Sequence, residues 1–291
     1  MAARLGKLLA NRVFWRGALS IVVFLILWEV GARSKQWMAY EAFLPLRELL
    51  LAVGFKGGYL PWIGAVPAPS AVLAAWLGVL GQAGYWQSWY ASFFRVLGGF
   101  VAAMLIGIPF GLLLAVSRVA HGIGFPPFEV LRPIPPLAWV PASIIFWPTQ
   151  ELAIMFITFL GAFYTIVINV VGGAQSIDVR FFQAAQSMGA SRWDMFRRVV
   201  LPGTLPSIVV GSAVGMGITW EVVVAAEMIS GGGSQMGGAG GGLGFFIWNS
   251  YVGGSYEQIV VGMISIGIAG FISSELLRSL GSYVTPWLRV R

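Results

Sequence analysis

Six apolar runs constrain this chain more than any other feature of its sequence. They fall at about residues 16–33, 93–117, 132–148, 152–172, 205–228 and 257–277. A helix needs ~20 mostly apolar residues to cross hydrocarbon. Backbone inside lipid must also satisfy its own hydrogen bonds. The expected fold is therefore an all-α polytopic membrane protein of about six transmembrane helices. The run at 132–148 is short and carries Pro133, Pro135, Pro136, Pro141 and Pro148. Proline removes a helix donor, so this span is expected to be kinked or broken. Gly262, Gly267 and Gly270 in the last run favour close helix approach.

Only 10% of the 291 residues are charged, against roughly 25% in soluble domains. The formal charge of +7 does not point to nucleic acid, because the charges fall in short clusters between apolar runs. With no cysteine and a single histidine, His121, disulfides, thiol nucleophiles and cysteine-bound metal are excluded. His121 reads as a solvated residue of an inner loop. With the N-terminus inside, the inner segments hold Arg4, Lys7, Arg12, Arg16, Arg118, Arg132, Arg180, Arg192, Arg197, Arg198, Arg278, Arg289 and Arg291. The outer segments hold Arg33, Lys35, Arg47 and Lys56, and Arg95 sits at the edge of the second span. This asymmetry places both termini in the cytoplasm, with an even number of spans. The first run resembles a signal peptide, with Val30-Gly31-Ala32 as a small-residue site, but Trp28-Glu29 and the even count favour a retained helix.

The chain divides at 92/93 into an N-terminal helix with an outer, interfacial segment (1–92) and a core (93–291). Gly54 to Pro69 reads as loop, and Pro69-Ser70 opens a helical run through Val72, Leu73, Trp76, Leu77 and Leu80. Trp86, Trp89, Tyr90, Phe93 and Phe94 suit the water–lipid boundary, where an interfacial helix is expected. Residues 231–244 hold nine glycines. A nucleotide loop needs lysine followed by Ser or Thr, and Lys7, Lys35 and Lys56 are not so followed. This run reads as a flexible outer loop. The apolar Leu243–Tyr251 segment after it is too short to span and is expected to be re-entrant or a surface helix.

The polar island at about 174–205 has a different character. Residues 178–188 form a helix pattern with Phe181, Ala184, Ala185 and Met188 on one face. Gly189 is a helix stop. Ser191 with Asp194 is a start signal, and Trp193, Phe196 and Val200 follow at helical spacing. Pro202 and Pro206 mark entry to the fifth span. Two short helices at an angle would project from the membrane as a knob, able to seat in a groove on a soluble partner or to rest on lipid headgroups.

Gln183-Ala184-Ala185-Gln186-Ser187-Met188-Gly189-Ala190, then nine residues after the glycine, then Val199-Val200-Leu201-Pro202, resembles the cytoplasmic signature loop of ABC importer permeases. Gln183 stands where that family carries glutamate. Arg132-Pro133-Ile134-Pro135-Pro136-Leu137-Ala138-Trp139 and Val224-Ala225-Ala226-Glu227-Met228 resemble the nitrate, sulfonate, taurine and bicarbonate branch. The resemblance implies the type I permease fold and a bacterial inner (plasma) membrane location. It implies a second permease copy in a homodimer, two ABC ATPase subunits, and a periplasmic or lipid-anchored solute-binding protein. It makes the chain a transport subunit without enzyme activity or a cofactor of its own, ATP and Mg being bound by the ATPases. Phe181, Gln183, Ala184, Ala185, Met188, Gly189, Ala190, Trp193, Leu201 and Pro202 would couple to them. Motifs of the taurine type and of the nitrate type, the latter Leu243-Gly244-Phe245-Phe246-Ile247-Trp248-Asn249, disagree on cargo beyond a small anion.

Charges inside a bilayer are expensive and default to functional candidates. Glu29, Glu221 and Glu227 qualify. Glu221 and Glu227 lie some ~120° apart on one helix and do not share a tight face. Glu227 suits structural pairing or gating better than cargo contact. Thr219 and Trp220 could donate to an anion or serve helix packing. Gln150-Glu151 reads as a helix start. The other function classes are an ion-driven secondary carrier, which often shows two related halves, and a membrane enzyme, for which eleven scattered acids offer poor material.

Overall fold

The computed structural model describes residues 12–55, 63–229 and 241–287. Arg4, Lys7, Lys56, Arg289, Arg291 and most of the glycine-rich run, 230–240, lie outside the described residues. The described elements are helical throughout: α1 (Arg12–Trp37), α2 (Leu44–Ala52), α3 (Pro69–Leu80), α4 (Ala83–Val116), α5 (Arg118–Leu131), α6 (Val140–Phe146), α7 (Gln150–Gln175), α8 (Val179–Ser187), α9 (Arg192–Met195), α10 (Leu201–Ile229), α11 (Gly242–Val252) and α12 (Tyr256–Val284). Two compact units result. One comprises 1–82 with 250–261, the other 83–249 with 262–291. The boundary expected at 92/93 falls inside α4.

In the first unit, α1 carries Glu29 in its apolar stretch. Its carboxylate pairs with Arg33 one turn on, at 2.7 Å. It also accepts from the Ser70 backbone N–H at 3.0 Å and the Ser70 hydroxyl at 2.8 Å. Glu29 thus caps the start of α3, satisfying a donor that a helix N-terminus leaves free. This intramembrane carboxylate has a structural use.

In the second unit, α4 and α7 run parallel. Gly99 faces Met155 and Thr158, while Gly111, further along α4, faces Val167 and Val170. α10 is antiparallel to α7, with Gly161 against Val222 and Gly173 against Ser207. α12 is antiparallel to α10, with Gly270 against Trp220 and Gly281 against Val209. The α4–α5 junction, the segment between α7 and α10, and the end of α12 therefore share one end. Arg118, Arg180, Arg192, Arg197, Arg198 and Arg278 gather there. This marks it as the inner end.

Five helical stretches among the described residues are long and apolar enough to cross: 15–34, 83–116, 150–175, 192–229 and 256–284. The run at 132–148 is not one of them. Its prolines leave a single-turn 3-10 segment, Pro136–Trp139, and the seven-residue α6. Because α4 and α7 are parallel, the chain must still return across the membrane between them. The return is composite and starts earlier than the sequence pattern suggests, in α5. The Phe128 ring lies 6.4 Å from that of Phe110 on α4. It also lies 6.3 Å from Phe163 and 5.6 Å from Tyr164, in the middle of α7. Arg132 thus sits deep in the span, not in an inner loop. His121 is likewise on a helix. Its ring is partly buried, stacks on Phe125 at 4.5 Å, and its Nδ1 lies 3.2 Å from the Leu114 carbonyl oxygen.

The second span starts ten residues before the expected position 93. Trp86, Tyr90, Phe93 and Phe94 are therefore exposed side chains on the first turns of α4 rather than a separate interfacial helix. The Leu243–Tyr251 segment is a helix buried at its start, with Leu243 inaccessible and Ile247 against Gly262. It is an insertion into the bundle rather than a surface helix.

The α4–α7 contact depends on small residues, as in other packed membrane helices. A Cβ at Gly111 would lie 2.8 Å from the Val170 Cβ. Gly111→Leu should therefore cost about 1–3 kcal/mol by overpacking. The thermal midpoint of the detergent-purified protein should fall. A change at Gly122, where an added Cβ meets nothing, should leave the midpoint in place.

Candidate functional site

At the inner end, residues 176–200 form an elbow built by local signals. Asp178 caps α8, accepting from the Arg180 N–H at 2.9 Å. The helix ends at Gly189, whose φ of +75° is the left-handed conformation that glycine adopts without strain. The Gly189 N–H returns to the Gln186 carbonyl and the Ala190 N–H to the Ala185 carbonyl, closing α8 with a tight double-bonded stop. Ser191 and Asp194 then form a reciprocal capping box. A wide turn at Phe196–Val200 joins α9 to α10. It falls where Pro202 cannot donate to the Arg198 carbonyl four residues back. Arg192 to Ile229 is nonetheless one continuous helical rod. The second arm of the elbow and a spanning helix are thus one piece.

The elbow exposes apolar surface in its most polar stretch. Phe181 is 63%, Met188 81% and Trp193 66% accessible. The Trp193 and Phe196 rings stack at 5.6 Å. Gln183 and Ala184 are also exposed, Ala190, Leu201 and Pro202 half-buried. Ala185 departs from the face expected for it. It is buried and packs inward, while Phe181, Ala184 and Met188 face out.

At the outer end, a buried ionic cluster joins α4, α7, α10 and α11. Arg95 Nη1 donates to Glu227 Oε1 at 2.8 Å, and Arg95 Nε donates to Glu151 Oε2 at 2.7 Å. Glu227 is fully buried. It also accepts from the Ser92 hydroxyl at 2.8 Å and from the Gly244 N–H at 2.9 Å. The Leu243 N–H donates to the Ser92 oxygen at 2.8 Å. Two free donors at the start of α11 are thereby satisfied. Buried charges persist when paired and hydrogen-bonded in this way. Glu151 does double duty, since it also belongs to the first turn of α7, capped by Thr149.

Of the four residues proposed for a path on α10, three are engaged within the chain. Thr219 is buried and donates to the Gly215 carbonyl at 2.8 Å. Trp220 is buried and its indole N–H donates to Ser273 Oγ at 3.0 Å. Glu227 sits in the ionic cluster. Glu221 is exposed, on a different side of α10 from Glu227, as their angular separation implies. The partners of Glu227 were not legible in the sequence. A span beginning at 93 leaves Arg95 at its edge, whereas α4 makes Arg95 its thirteenth residue.

Comparison with known proteins adds to this geometry. Residues 107–290 match the family described as "Binding-protein-dependent transport system inner membrane component". The taurine transport system permease protein TauC of Escherichia coli is 31% identical over 97% of this chain and 96% of its own length. The nitrate import permease protein NrtB of Leptolyngbya laminosa is 36% identical over 69% of each chain. The bicarbonate transport system permease protein CmpB of Synechococcus elongatus is 32% identical, also over 69% of each. Among solved structures, a chain of a bacterial ABC transporter that imports alginate aligns with a TM-score of 0.53, covering 94% of this chain and all of its own, at 15% identity. That likeness speaks for the fold alone.

Proposed function

This chain belongs to the family of inner membrane components of binding-protein-dependent transport systems, and from that premise we propose that it forms the translocation path for a small oxyanion. Nitrate, bicarbonate and a sulfonate such as taurine are the cargoes that its relatives suggest. It is a permease subunit, and ATP hydrolysis belongs to separate subunits. Two ABC ATPases binding ATP and Mg, a second copy of this chain, and an extracytoplasmic solute-binding protein would complete the machine in a bacterial inner membrane.

The observation that carries this reading is the elbow. Phe181, Met188 and Trp193 present apolar surface beside arginines, at the end of a rod that crosses the membrane. Exposed apolar surface rimmed by polar residues marks a protein contact. Gln183, Ala184, Ala185, Gly189, Ala190, Leu201 and Pro202 shape that contact or join it to α10. Thr219, Trp220 and Glu227 would hold the path helix in place, with Glu221 on its open side. Closure of the ATPases would tilt α10 and alternate access between the two faces. The test is uptake into proteoliposomes holding this chain with its genomically neighbouring ATPase and solute-binding protein. ATP-dependent accumulation of nitrate, bicarbonate or taurine is expected. Uptake driven by an ion gradient without ATP would favour a secondary carrier instead.

A further inference from the structure

The sequence contains one arginine whose depth and surroundings do not fit an anchoring role. Arg132 is the residue that caps the end of α5, one helical turn past Phe128, whose ring lies against Phe163 and Tyr164 midway along α7. Its side chain is 40% accessible, and so is comparably that of Glu129, at 38%. The nearest ion-pair contact, Arg132 Nη1 to Glu129 Oε1, is 3.6 Å, longer than a hydrogen bond. The Arg132 guanidinium makes no hydrogen bond among the described residues. Pro133, Pro135 and Pro136 follow directly, so the backbone beyond it offers few amide donors of its own.

A charged side chain left open at this depth does not face hydrocarbon. Such residues turn to a bundle interior or a water-filled cavity. α5 separates its faces accordingly. Val119, Ile123 and Val130 are its most exposed apolar residues, at 70%, 73% and 73%. They centre roughly 160° around the helix from Arg132, at ~100° per residue. Arg118, Glu129 and Arg132 form a separate polar stripe. One face suits lipid, the other water.

We infer that Arg132 lines the aqueous path and is the cation that recognises the oxyanion in transit. The guanidinium's planar fork matches the two oxygens that nitrate, bicarbonate and a sulfonate all present. Glu129 is close enough to compensate the charge when the path is empty and too far to occupy the donors. The Glu129 charge thus offsets that of Arg132 and weakens its hold on the cargo without blocking its donors. That offset keeps the anion from binding too tightly to leave, which conduction through a site requires.

This inference rests on the importer reading, and the experiment separates the two. The complete transporter is reconstituted, and uptake is measured for whichever of nitrate, bicarbonate and taurine the wild type imports. If it imports none of them, the anion-importer reading itself fails. If it imports one, Arg132→Gln should cut uptake by about tenfold to a hundredfold, the scale of lost charge-assisted hydrogen bonds. Arg132→Lys should retain part of it. Glu129→Gln removes the opposing charge beside the guanidinium and should lower the half-saturating anion concentration. That result stands even if position 132 tolerates no neutral residue. The chain has no cysteine, so Arg132→Cys gives a unique thiol. It should react with a membrane-impermeant aminoethylating reagent, be protected by the anion, and regain uptake once the positive charge is restored. Wild-type uptake in Arg132→Gln, or an inert thiol at position 132 in the inserted protein, would overturn the inference.

Discussion

Gly189→Val should bring ATP-driven uptake down to background while the protein still inserts into the membrane. The effect is expected to act through the backbone alone. A Cβ at Gly189 meets no atom within 4 Å, so crowding is not the cause. The residue's φ of +75° is the cause. A left-handed conformation costs an ordinary L-residue about 1–2 kcal/mol, and a β-branched side chain makes it an outlier. Relieving that strain opens the stop that joins Ala190 to Ala185 and Gly189 to Gln186. α8 then no longer meets α9 at the angle that the capping box fixes. Gly189→Asn is the control, because asparagine visits this conformation readily. It should keep most of the uptake. Equal loss in both variants would show that the site needs absence of a side chain rather than a turn. Full activity in Gly189→Val would show that the elbow's shape is irrelevant to transport.

The second large effect concerns the outer end. Glu227→Ala leaves Arg95 in a buried site without its innermost partner, and leaves the Gly244 N–H and the Ser92 hydroxyl without their acceptor. Removing one member of a buried pair costs about 3–5 kcal/mol, a large share of the ~5–15 kcal/mol that holds a domain together. Glu151→Ala should cost much less. The Glu151 side chain is 55% exposed, so water can replace it, and Arg95 keeps Glu227. The thermal midpoints of the two purified variants in detergent decide this. A far larger drop is expected for Glu227→Ala. Equal drops would mean that the cluster is more open than its geometry shows.

Much of the fold was legible because the signals are local. Apolar length gives the long helices at 150–175 and 201–229 to within a few residues, and the start of 256–284 but not its last seven residues. Gly189, Ser191 and Asp194 give the stop of one elbow helix and the start of the next, since caps and stops depend on neighbours in sequence. What sequence patterns missed was set by distant partners. α4 begins at Ala83 rather than 93 because aromatic residues that suit an interface also suit a spanning helix. The return crossing hides in Arg118–Leu131, where Arg118, His121, Glu129 and two prolines mask a membrane helix. Only the parallel packing of α4 and α7 requires it. The Arg95–Glu227–Glu151 cluster joins residues 56 and 132 positions apart, which no local period encodes. Ala185 was misplaced for a subtler reason. On a nine-residue helix the same spacing serves two adjoining faces, and the bundle takes one of them.

An elbow that is the joint to a separate motor must touch that motor, and cross-linking reads this contact. The protein has no cysteine, so Met188→Cys, at an 81% exposed position, places a single reactive group on the elbow. Purified with its candidate ATPase, this variant should cross-link to the ATPase in high yield, with a yield that changes between the nucleotide-free and ATP-bound states. A cysteine at Leu105, 71% exposed but on the apolar span, should not. Absence of any cross-link from position 188 in a complex that hydrolyses ATP and transports would contradict the account.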